Sequence, residues 1–256
     1  MLYRTAILIY AAAAYCVAMA SIACIAGFLQ GFGVPKGIND GSAGAFWPSV
    51  FIDIGLVWVF GLHHSATART SFKRLWNRFL PPEMERATYL YMTAVITVAL
   101  IHFWQPIPVL IWQIDTPMLH WAIISAYLLV LAAMFSATFP IGHFAFFGLA
   151  PAWQKFAGRK PEPASFTTRW LYAFVRHPIS LGWMVLPWLT PALSVGQLCF
   201  ALATACYVLA ATVFEEADLS AELGKTYEAY RQRVPDFLPF ARRRPDAPAR
   251  HQGSLR

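Results

Sequence analysis

Long apolar runs separated by short polar segments dominate this chain. Four of these runs occupy roughly residues 6–28, 46–62, 87–104 and 118–139. A helix crosses the hydrocarbon core of a bilayer with about 20 apolar residues. The pattern therefore predicts four membrane-spanning helices in the first 140 residues, joined by loops that contain glycine, proline and charged residues.

A fifth apolar run is nearly twice as long as one span and has charged residues at both ends. No Asp, Glu, Lys or Arg occurs between Arg176 and Glu215, and Pro191 lies near the middle. Proline disfavours the helical conformation of the preceding residue and breaks a helix at its own position, so the run is predicted to form a helical hairpin. The hairpin would return the chain to the face it left, placing Arg176 and His177 beside Glu215 and Glu216.

The predicted fold is all-α: a polytopic membrane helical bundle with about six membrane-crossing segments, four spans plus the C-terminal helical hairpin. The composition, 58% hydrophobic and 13% charged, excludes an ordinary soluble domain, whose surface needs more charge. The first apolar run is too long for a cleaved signal peptide and leads into a second span. A single domain is expected over residues 1–240, followed by a disordered Arg/Pro/Ala-rich tail at 241–256.

Lysine and arginine are concentrated in one set of connections. One precedes the first span, five follow the second span, five lie between the fourth span and the hairpin, and eight follow the hairpin, whereas Lys36 lies in the first loop. By the positive-inside rule, both termini and both long basic loops are predicted to be cytosolic. The net charge of +7 therefore indicates orientation and contact with membrane lipids, and not nucleic-acid binding.

Most side chains capable of chemistry fall at the predicted cytosolic ends of the helices. They are His63, His64, His143, Arg176, His177, Glu215, Glu216 and residues 227–233. Carboxylates bind ammonium or sulfonium groups, while arginine and histidine pair with carboxylates or hydrogen-bond a ribose or base. The pattern indicates a site for a zwitterionic or cationic small molecule. The alternative is that these residues only anchor the helix ends.

Several other polar or reactive residues are interpreted as structural. An acid at membrane depth, such as Asp53, suggests function, but its position near the outer third of the second span favours a structural hydrogen bond. His63 and His102 are also interpreted as structural. The four cysteines lie in predicted spans and are interpreted as small buried apolar residues: Cys16, Cys24, Cys199 and Cys206. Neither a disulfide nor a metal site is predicted.

The charged ends of the hairpin carry an ordered set of motifs. They are Arg176-His177-Pro178, Leu181-Gly182, Glu215-Glu216, Gly224, Tyr227, Tyr230, Val234-Pro235 and Pro239. In order and spacing this set resembles the small integral-membrane methyltransferases, which include isoprenylcysteine carboxyl methyltransferase, phospholipid methyltransferases and NnrU-like proteins. The segments VPKGIND, GLHHSATARTSFKRLWNRFLPPEMERATY and IGHFAFFGL are similar to the bacterial methanethiol S-methyltransferase branch. Ala145, Ser180 and Ala217 depart from the pattern expected of that branch and bear on the identity of the methyl acceptor.

The resemblance implies S-adenosylmethionine as methyl donor, S-adenosylhomocysteine as product and a bacterial inner-membrane location. The implied acceptor is a small thiol, with methanethiol converted to dimethyl sulfide. The implied cofactor-binding residues, within about 140–240, are Arg176, His177, Pro178, Leu181, Gly182, Glu215, Glu216, Tyr227, Tyr230 and Arg231. In this arrangement the two glutamates would hold the cofactor's ammonium, Arg176 and His177 would meet its carboxylate or ribose, and the C-terminal helix would close over it.

A thiol acceptor requires deprotonation, because the thiolate is the nucleophile and an ordinary thiol has a pKa of about 8.5 or higher. His64 and His143 are the candidate catalytic bases, since histidine titrates near neutrality. The alternative is that either histidine only caps a helix end. Two other functions also stay open: an O- or N-methyltransferase with a prenylated or lipidic acceptor, and a non-enzymatic NnrU-like membrane protein.

Overall fold

The computed structural model describes residues 1–160 and 166–238. The disordered tail predicted for residues 241–256 lies outside this part of the chain. The elements, in chain order, are α1 (Leu2–Gln30), α2 (Phe46–Ala68), α3 (Thr70–Trp76), α4 (Pro82–Phe103), β1 (Leu110–Gln113), α5 (Pro117–Ala137), α6 (His143–Phe146), α7 (Leu149–Phe156), a 3-10 turn (Trp170–Ala173), α8 (Pro178–Val185), a second 3-10 turn (Leu186–Trp188), β2 (Ala192–Ser194), α9 (Val195–Leu223) and α10 (Lys225–Arg233).

Five helices in the described ranges are long and apolar enough to cross a membrane: α1, α2, α4, α5 and α9. Large apolar side chains such as Phe51, Leu129 and Val213 are about 70% exposed on these helices, as lipid-facing residues are. The chain is therefore a multi-pass membrane protein. The four predicted spans match four of these helices, but α2 continues to Ala68. His63 and His64 consequently lie inside α2.

The hairpin forms, but its first arm differs from the expected continuous helix. That arm consists of the eight-residue α8, a 3-10 turn and an extended segment leading into β2. Pro187 and Pro191 explain the interruption, since each lacks a backbone N–H and disrupts a preceding helical turn. The described residues therefore do not form a sixth helix long enough to span a membrane.

The fold is mostly helical, as predicted, and a short β-ribbon that the sequence did not predict is added to it. Strands β1 and β2 pair antiparallel, with Leu110 opposite Ser194 and Gln113 opposite Ala192. The pairing satisfies backbone groups that proline-rich segments cannot satisfy by forming helix. The Ser194 side chain then accepts a hydrogen bond from the N–H of Gln197 at 3.1 Å and caps the start of α9.

Two ends of the bundle can be distinguished from the contacts. The ribbon face contains β1, β2, the hairpin turn and the loop after α1, joined by a hydrogen bond from Gln30 Nε2 to the Leu189 carbonyl at 2.9 Å. The opposite end, called the cluster face, contains the start of α8 and residue 216 of α9. The stretch of α9 between the two ends is about 30 Å long at 1.5 Å per residue, which matches the hydrocarbon thickness.

Residues interpreted as structural mostly behave so. Asp53 is buried, and its Oδ1 accepts the backbone N–H of Gln105 at 2.8 Å, which confirms the expected structural hydrogen bond. Lys36 donates to the carbonyls of His102 and Trp104, so it fastens two loops of the ribbon face. The four cysteines are free, as expected, but Cys16 and Cys206 are exposed on helix surfaces and not buried. In a membrane such positions face lipid, where a small apolar side chain is equally acceptable.

Candidate active site

The two charged ends of the hairpin meet at the cluster face. Arg176, just before α8, reaches Glu216 on α9 with two hydrogen bonds, Nε to Oε1 at 2.8 Å and Nη2 to Oε2 at 3.0 Å. Their side chains are 1% and 11% exposed. Planar guanidinium and carboxylate groups match in this bidentate geometry, which is the strongest form of charged hydrogen bonding. The predicted closure of the hairpin is confirmed.

Arg176 uses its remaining donors on the segment that follows α10. Nη1 donates to the carbonyls of Arg231 at 3.2 Å and Val234 at 2.6 Å, and Nη2 also pairs with the carboxylate of Asp236. Arginine has five N–H bonds, and these contacts engage all five. The backbone of Arg176 adds a hydrogen bond to the Pro235 carbonyl at 2.9 Å. The residue therefore ties α9, α10 and the chain after α10 together.

The Glu216 carboxylate likewise makes several hydrogen bonds within the protein. Its Oε1 accepts from His177 Nε2 at 2.7 Å and from the Tyr227 hydroxyl at 2.6 Å, in addition to Arg176. Oε1 thus has three hydrogen-bond donors, whereas Oε2 has one, Nη2 of Arg176, with Nε of Arg231 as an ion-pair neighbour 3.4 Å away. The Glu216 carboxylate thus connects Arg176, His177 and Tyr227 by hydrogen bonds.

His177 lies between the two adjacent glutamates. Its Nε2 contacts Glu216 as described, and its Nδ1 is 3.4 Å from Oε2 of Glu215, whose side chain is 55% exposed. Burial alone would lower the pKa of His177, but hydrogen bonds and charges from Glu215 and Glu216 outweigh burial and raise this pKa to about 9. At neutral pH the imidazole is therefore a cation within the cluster.

Helix α10 folds back over the cluster through a glycine turn. Gly224 joins α9 to α10 with a φ of 55°, a backbone conformation that favours glycine. Tyr227 and Tyr230, three positions apart, lie on one face of α10, as their spacing indicates, and are 1% and 3% exposed. Tyr230 donates to the Tyr172 carbonyl at 2.6 Å. Burial raises the pKa of Tyr230 to about 12, and burial with the hydrogen bond to Glu216 raises the pKa of Tyr227 further.

The motif residues on α8 have packing roles in this structure. Pro178 occupies the first position of the helix, where proline is favoured, and Leu181 donates its N–H to the His177 carbonyl at 2.9 Å. Gly182 lies against α5, where a Cβ would be 2.2 Å from Cγ of Met134. These three predicted cofactor-binding residues thus orient α8 so that Arg176 and His177 face α9.

The two predicted bases lie in different surroundings. His143 is 4% exposed and both ring nitrogens are engaged, Nε2 with the Tyr15 hydroxyl at 2.9 Å and Nδ1 with Thr138 Oγ1 at 2.6 Å. Its ring also stacks on Phe139 with centroids 4.8 Å apart. Burial lowers the pKa of His143. His143 therefore lies in a packed junction where α1, the end of α5 and α6 meet.

Within the described residues, the hydrogen-bond partner of the His64 ring is the Tyr89 hydroxyl. The Tyr89 oxygen is 2.7 Å from Nδ1 and 2.9 Å from Nε2, so one hydroxyl serves both nitrogens. The ring stacks on Phe60 with centroids 5.8 Å apart. Because one hydroxyl can make one good hydrogen bond, the other nitrogen of His64 keeps its capacity to exchange a proton.

Several partners of the predicted residues were not found from sequence. Asp236 and the carbonyls of Arg231 and Val234 complete the binding of Arg176. Backbone carbonyls carry no residue-specific signal, so no sequence pattern identifies them. Asp236 had one available signal, since Pro235 is expected to place it just after the end of α10. Tyr89 and Tyr15 were missed because belt aromatics near helix ends are common.

Two charged side chains of the cluster, Glu215 and Arg231, are partly exposed. Glu215 presents a half-exposed carboxylate beside His177. Arg231 is 38% exposed, and its Nε is 3.4 Å from Oε2 of Glu216. Among the described residues this nitrogen has an ion-pair neighbour but no hydrogen-bond partner. Nη1 of Arg231 also lies 3.6 Å from the Glu228 carboxylate. The cluster thus exposes one carboxylate and one guanidinium, groups that can pair with an ammonium and a carboxylate.

Relatives of this chain share almost its whole length. Methanethiol S-methyltransferase 2 of Bradyrhizobium diazoefficiens is 41% identical over 248 residues, covering 96% of this chain and 95% of that protein. Methanethiol S-methyltransferases of Pseudomonas sp. (strain GM41(2012)) and Mycobacterium tuberculosis are 37% and 36% identical, covering 91% and 92% of this chain and 89% and 97% of theirs. No protein-family model and no solved structure matches. The chain therefore belongs to the methanethiol S-methyltransferase family.

Proposed function

We propose that this protein transfers a methyl group from S-adenosylmethionine to methanethiol, giving dimethyl sulfide and S-adenosylhomocysteine, at the cytosolic face of a bacterial inner membrane. The observation that carries the proposal is similarity to methanethiol S-methyltransferases over more than nine-tenths of the chain. The cluster of Arg176, His177, Glu215 and Glu216 supports it, because it offers charged groups suited to a zwitterionic donor.

The residues present fit the amino-acid part of the cofactor. Glu215 would hold its ammonium and Arg231 its carboxylate, while His177 would fix the position of the Glu215 carboxylate. When bound, S-adenosylmethionine would supply a methyl group on a sulfonium sulfur. A thiolate that attacks the methyl carbon in line forms a new C–S bond, and the bond to the sulfonium breaks to release S-adenosylhomocysteine. The protein then has to align the acceptor and keep water out, and it needs little further chemical activation.

His64 is our proposed base for the thiol. Its two ring nitrogens share one described partner, the Tyr89 hydroxyl, whereas the two nitrogens of His143 each have a partner of their own in a buried network. The proton of the thiol would pass to that His64 nitrogen, and Tyr89 would hold the ring in place. The chain also places Phe60 against His64, which excludes water on one side of the ring.

The cytosolic assignment of the cluster face rests on charge. The described lysines and arginines lie in the connections and short helices at this face or near the helix ends that meet it, apart from Lys36 at the ribbon face. Positive charge is retained on the cytosolic side of bacterial membranes. A test is to remove the four native cysteines and introduce one at Asp115 or Lys225, which are both exposed. An impermeant maleimide should label position 115 in intact cells and position 225 only after permeabilisation. Labelling of position 225, but not of position 115, in intact cells would show that the cluster face is periplasmic.

The activity is tested with purified protein in lipid vesicles. Methanethiol and S-adenosylmethionine with an isotopically labelled methyl group should yield labelled dimethyl sulfide in the headspace. Label in the lipid fraction would instead indicate a lipid methyltransferase. An unlabelled headspace and lipid fraction, with protein that binds no S-adenosylhomocysteine, would support a non-enzymatic role. Asp218→Asn is a matched control, since this exposed carboxylate lies on α9 outside the cluster.

A further inference from the structure

We propose that the adjacent glutamates have different tasks: Glu215 contacts the amino-acid moiety of the methyl donor, and Glu216 is a positioning residue that holds α10 over the site through Arg176. The inference rests on the proposed function, because it assumes that the cluster binds this donor. It assigns separate roles to two residues that a sequence motif treats as one pair.

The first step is that the buried Glu216 carboxylate is already hydrogen-bonded to the protein. Arg176, His177 and Tyr227 provide four hydrogen bonds to its two oxygens, at distances of 2.6 to 3.0 Å. Three of these bonds go to Oε1 and one to Oε2, and Nε of Arg231 lies 3.4 Å from Oε2. With the Glu216 side chain 11% exposed, a ligand ammonium would have to displace one of these donors or Arg231 to reach the carboxylate. Displacing a buried charged donor leaves that donor without a partner, which is costly. Glu216 is therefore committed to the protein.

The second step is what Glu216 holds in place. Its partner Arg176 bonds the carbonyls at the end of α10 and the carboxylate of Asp236, while Tyr227 belongs to α10 itself. These contacts connect three segments that are distant in sequence. Without the Glu216 charge, Arg176 and Tyr227 lose their common acceptor. The exposed hydrogen bond from Ser220 to Glu228 at 2.8 Å would still join α9 to α10, but the buried contacts between them would be weakened.

The third step is the different setting of Glu215. Successive residues of a helix point about 100° apart. Glu215 and Glu216 therefore meet His177 at different ring nitrogens, and Glu216 points toward Arg176 and Tyr227. Glu215 is 55% exposed and has Nδ1 of His177 as its neighbour at 3.4 Å. It also lies close to Tyr172, where burial and the Glu215 charge together raise the pKa of the phenol. An accessible carboxylate beside an aromatic ring and a histidine cation is open to a ligand ammonium.

The test compares two ligands on three variants. S-adenosylhomocysteine carries the amino-acid moiety, and 5′-methylthioadenosine lacks it. Binding of both is measured by calorimetry on the purified full chain, for the wild type, Glu215→Gln, Glu216→Gln and Asp218→Asn. Thermal unfolding and limited proteolysis within residues 224–238 report the attachment of α10.

The two glutamate variants should give different patterns. Glu215→Gln should weaken S-adenosylhomocysteine about tenfold or more, the size of one lost charged contact, and leave 5′-methylthioadenosine within about twofold. Glu216→Gln should weaken both ligands by the same factor, lower the unfolding temperature and speed cleavage of residues 224–238. Asp218→Asn should change none of these. If Glu216→Gln does not fold, Tyr227→Phe removes a single donor to Glu216 and should likewise weaken both ligands equally.

Other outcomes overturn the inference. A selective loss of S-adenosylhomocysteine in Glu216→Gln or Tyr227→Phe would show that Glu216 contacts the ligand. Unchanged ligand discrimination in Glu215→Gln would remove Glu215 from the site. Both results leave the proposed function intact, because the wild type still binds the donor. A wild type that binds neither molecule would overturn the proposed function, and this inference with it.

Discussion

Arg176 and Glu216 are 40 positions apart in the sequence and form a buried bidentate ion pair, with hydrogen bonds of 2.8 and 3.0 Å. The contact joins the start of the hairpin to its end and fixes the segment after α10. A buried ion pair of this kind adds little net free energy to folding, because desolvation of both charges offsets much of their attraction. Its main contribution is to fix the relative positions of the segments it joins. Its loss on one side, however, leaves a buried charge unpaired.

Arg176→Leu is expected to lower the free energy of unfolding by about 3–5 kcal/mol, because Glu216 would stay buried without its main partner. Thermal or denaturant unfolding in detergent measures the change. The matched control is Arg69→Leu. Arg69 pairs with Asp218 at 3.0 Å, also on α9, but the two side chains are 36% and 63% exposed. That exposed pair should contribute no more than about 1 kcal/mol. Equal losses in the two variants would contradict the buried-clamp role of Arg176.

His177 gives a prediction for pH. Its pKa is about 9 in the folded protein and about 6.5 when unfolded. A group whose pKa is raised by folding stabilises the protein fully below its unfolded pKa, and this contribution is lost as pH rises through the folded pKa. Stability from this histidine should therefore be complete below about pH 6.5 and decline up to about pH 9.

Unfolding free energies of wild type and His177→Gln, measured from pH 6 to pH 10 on the same preparations, would isolate this contribution. The wild-type advantage over the variant should shrink across the window in which the histidine loses its proton. Other titrating groups are common to both proteins and cancel in the difference. A difference that does not change with pH would mean that His177 is not a cation in the cluster.

The hairpin was predictable because its signals are local. An apolar run too long for one span, a central proline and charged ends define both the turn near Pro191 and the reunion of Arg176 with Glu216. The β-ribbon was not predictable in the same way. Leu110–Gln113 is a four-residue apolar segment, and short apolar runs do not distinguish strand from helix or loop. Its pairing with Ala192–Ser194 depends on contact between distant loops.

The site was predictable in its residue types but not in their connections. The sequence placed Arg176, His177, Glu215 and Glu216 together, yet it could not show that Glu216 is filled by protein donors while Glu215 is half exposed. That distinction depends on helix phase and on the return of α10 through Gly224. Residue spacing shows which residues share a face of α10, as Tyr227 and Tyr230 do. It does not show how α10 packs against α9.

Gly182 allows α8 to approach α5, and this predicts a cost for a single methyl group. In Gly182→Ala the new Cβ would overlap Cγ of Met134. Overpacking of this kind costs about 1–3 kcal/mol. Adding Met134→Ala should recover part of the loss, so the double variant should be less destabilised than the sum of the single variants. Gly55→Ala serves as control, since its Cβ would meet nothing within 4 Å. Additive losses at residues 182 and 134 would argue against this contact.

Substitution of the proposed base should produce a defect that depends on pH. His64→Gln keeps a hydrogen-bonding group beside Tyr89 but cannot accept the thiol proton. The rate of dimethyl sulfide formation at pH 7 should fall about 100-fold or more. The defect should diminish as pH approaches the thiol pKa of about 8.5 or higher, because the thiolate then forms without help. Binding of S-adenosylhomocysteine should be unchanged.

His143→Gln distinguishes the two histidines proposed as bases. Glutamine can retain hydrogen bonds to Tyr15 and Thr138, so the buried junction stays partnered. Since neither His143 nitrogen is open to a substrate, the rate should remain within about threefold of wild type, below roughly 0.7 kcal/mol. The same headspace assay across pH, with S-adenosylhomocysteine binding as a check on site integrity, compares both variants. A loss confined to His143→Gln and relieved at high pH would transfer the role of base to His143.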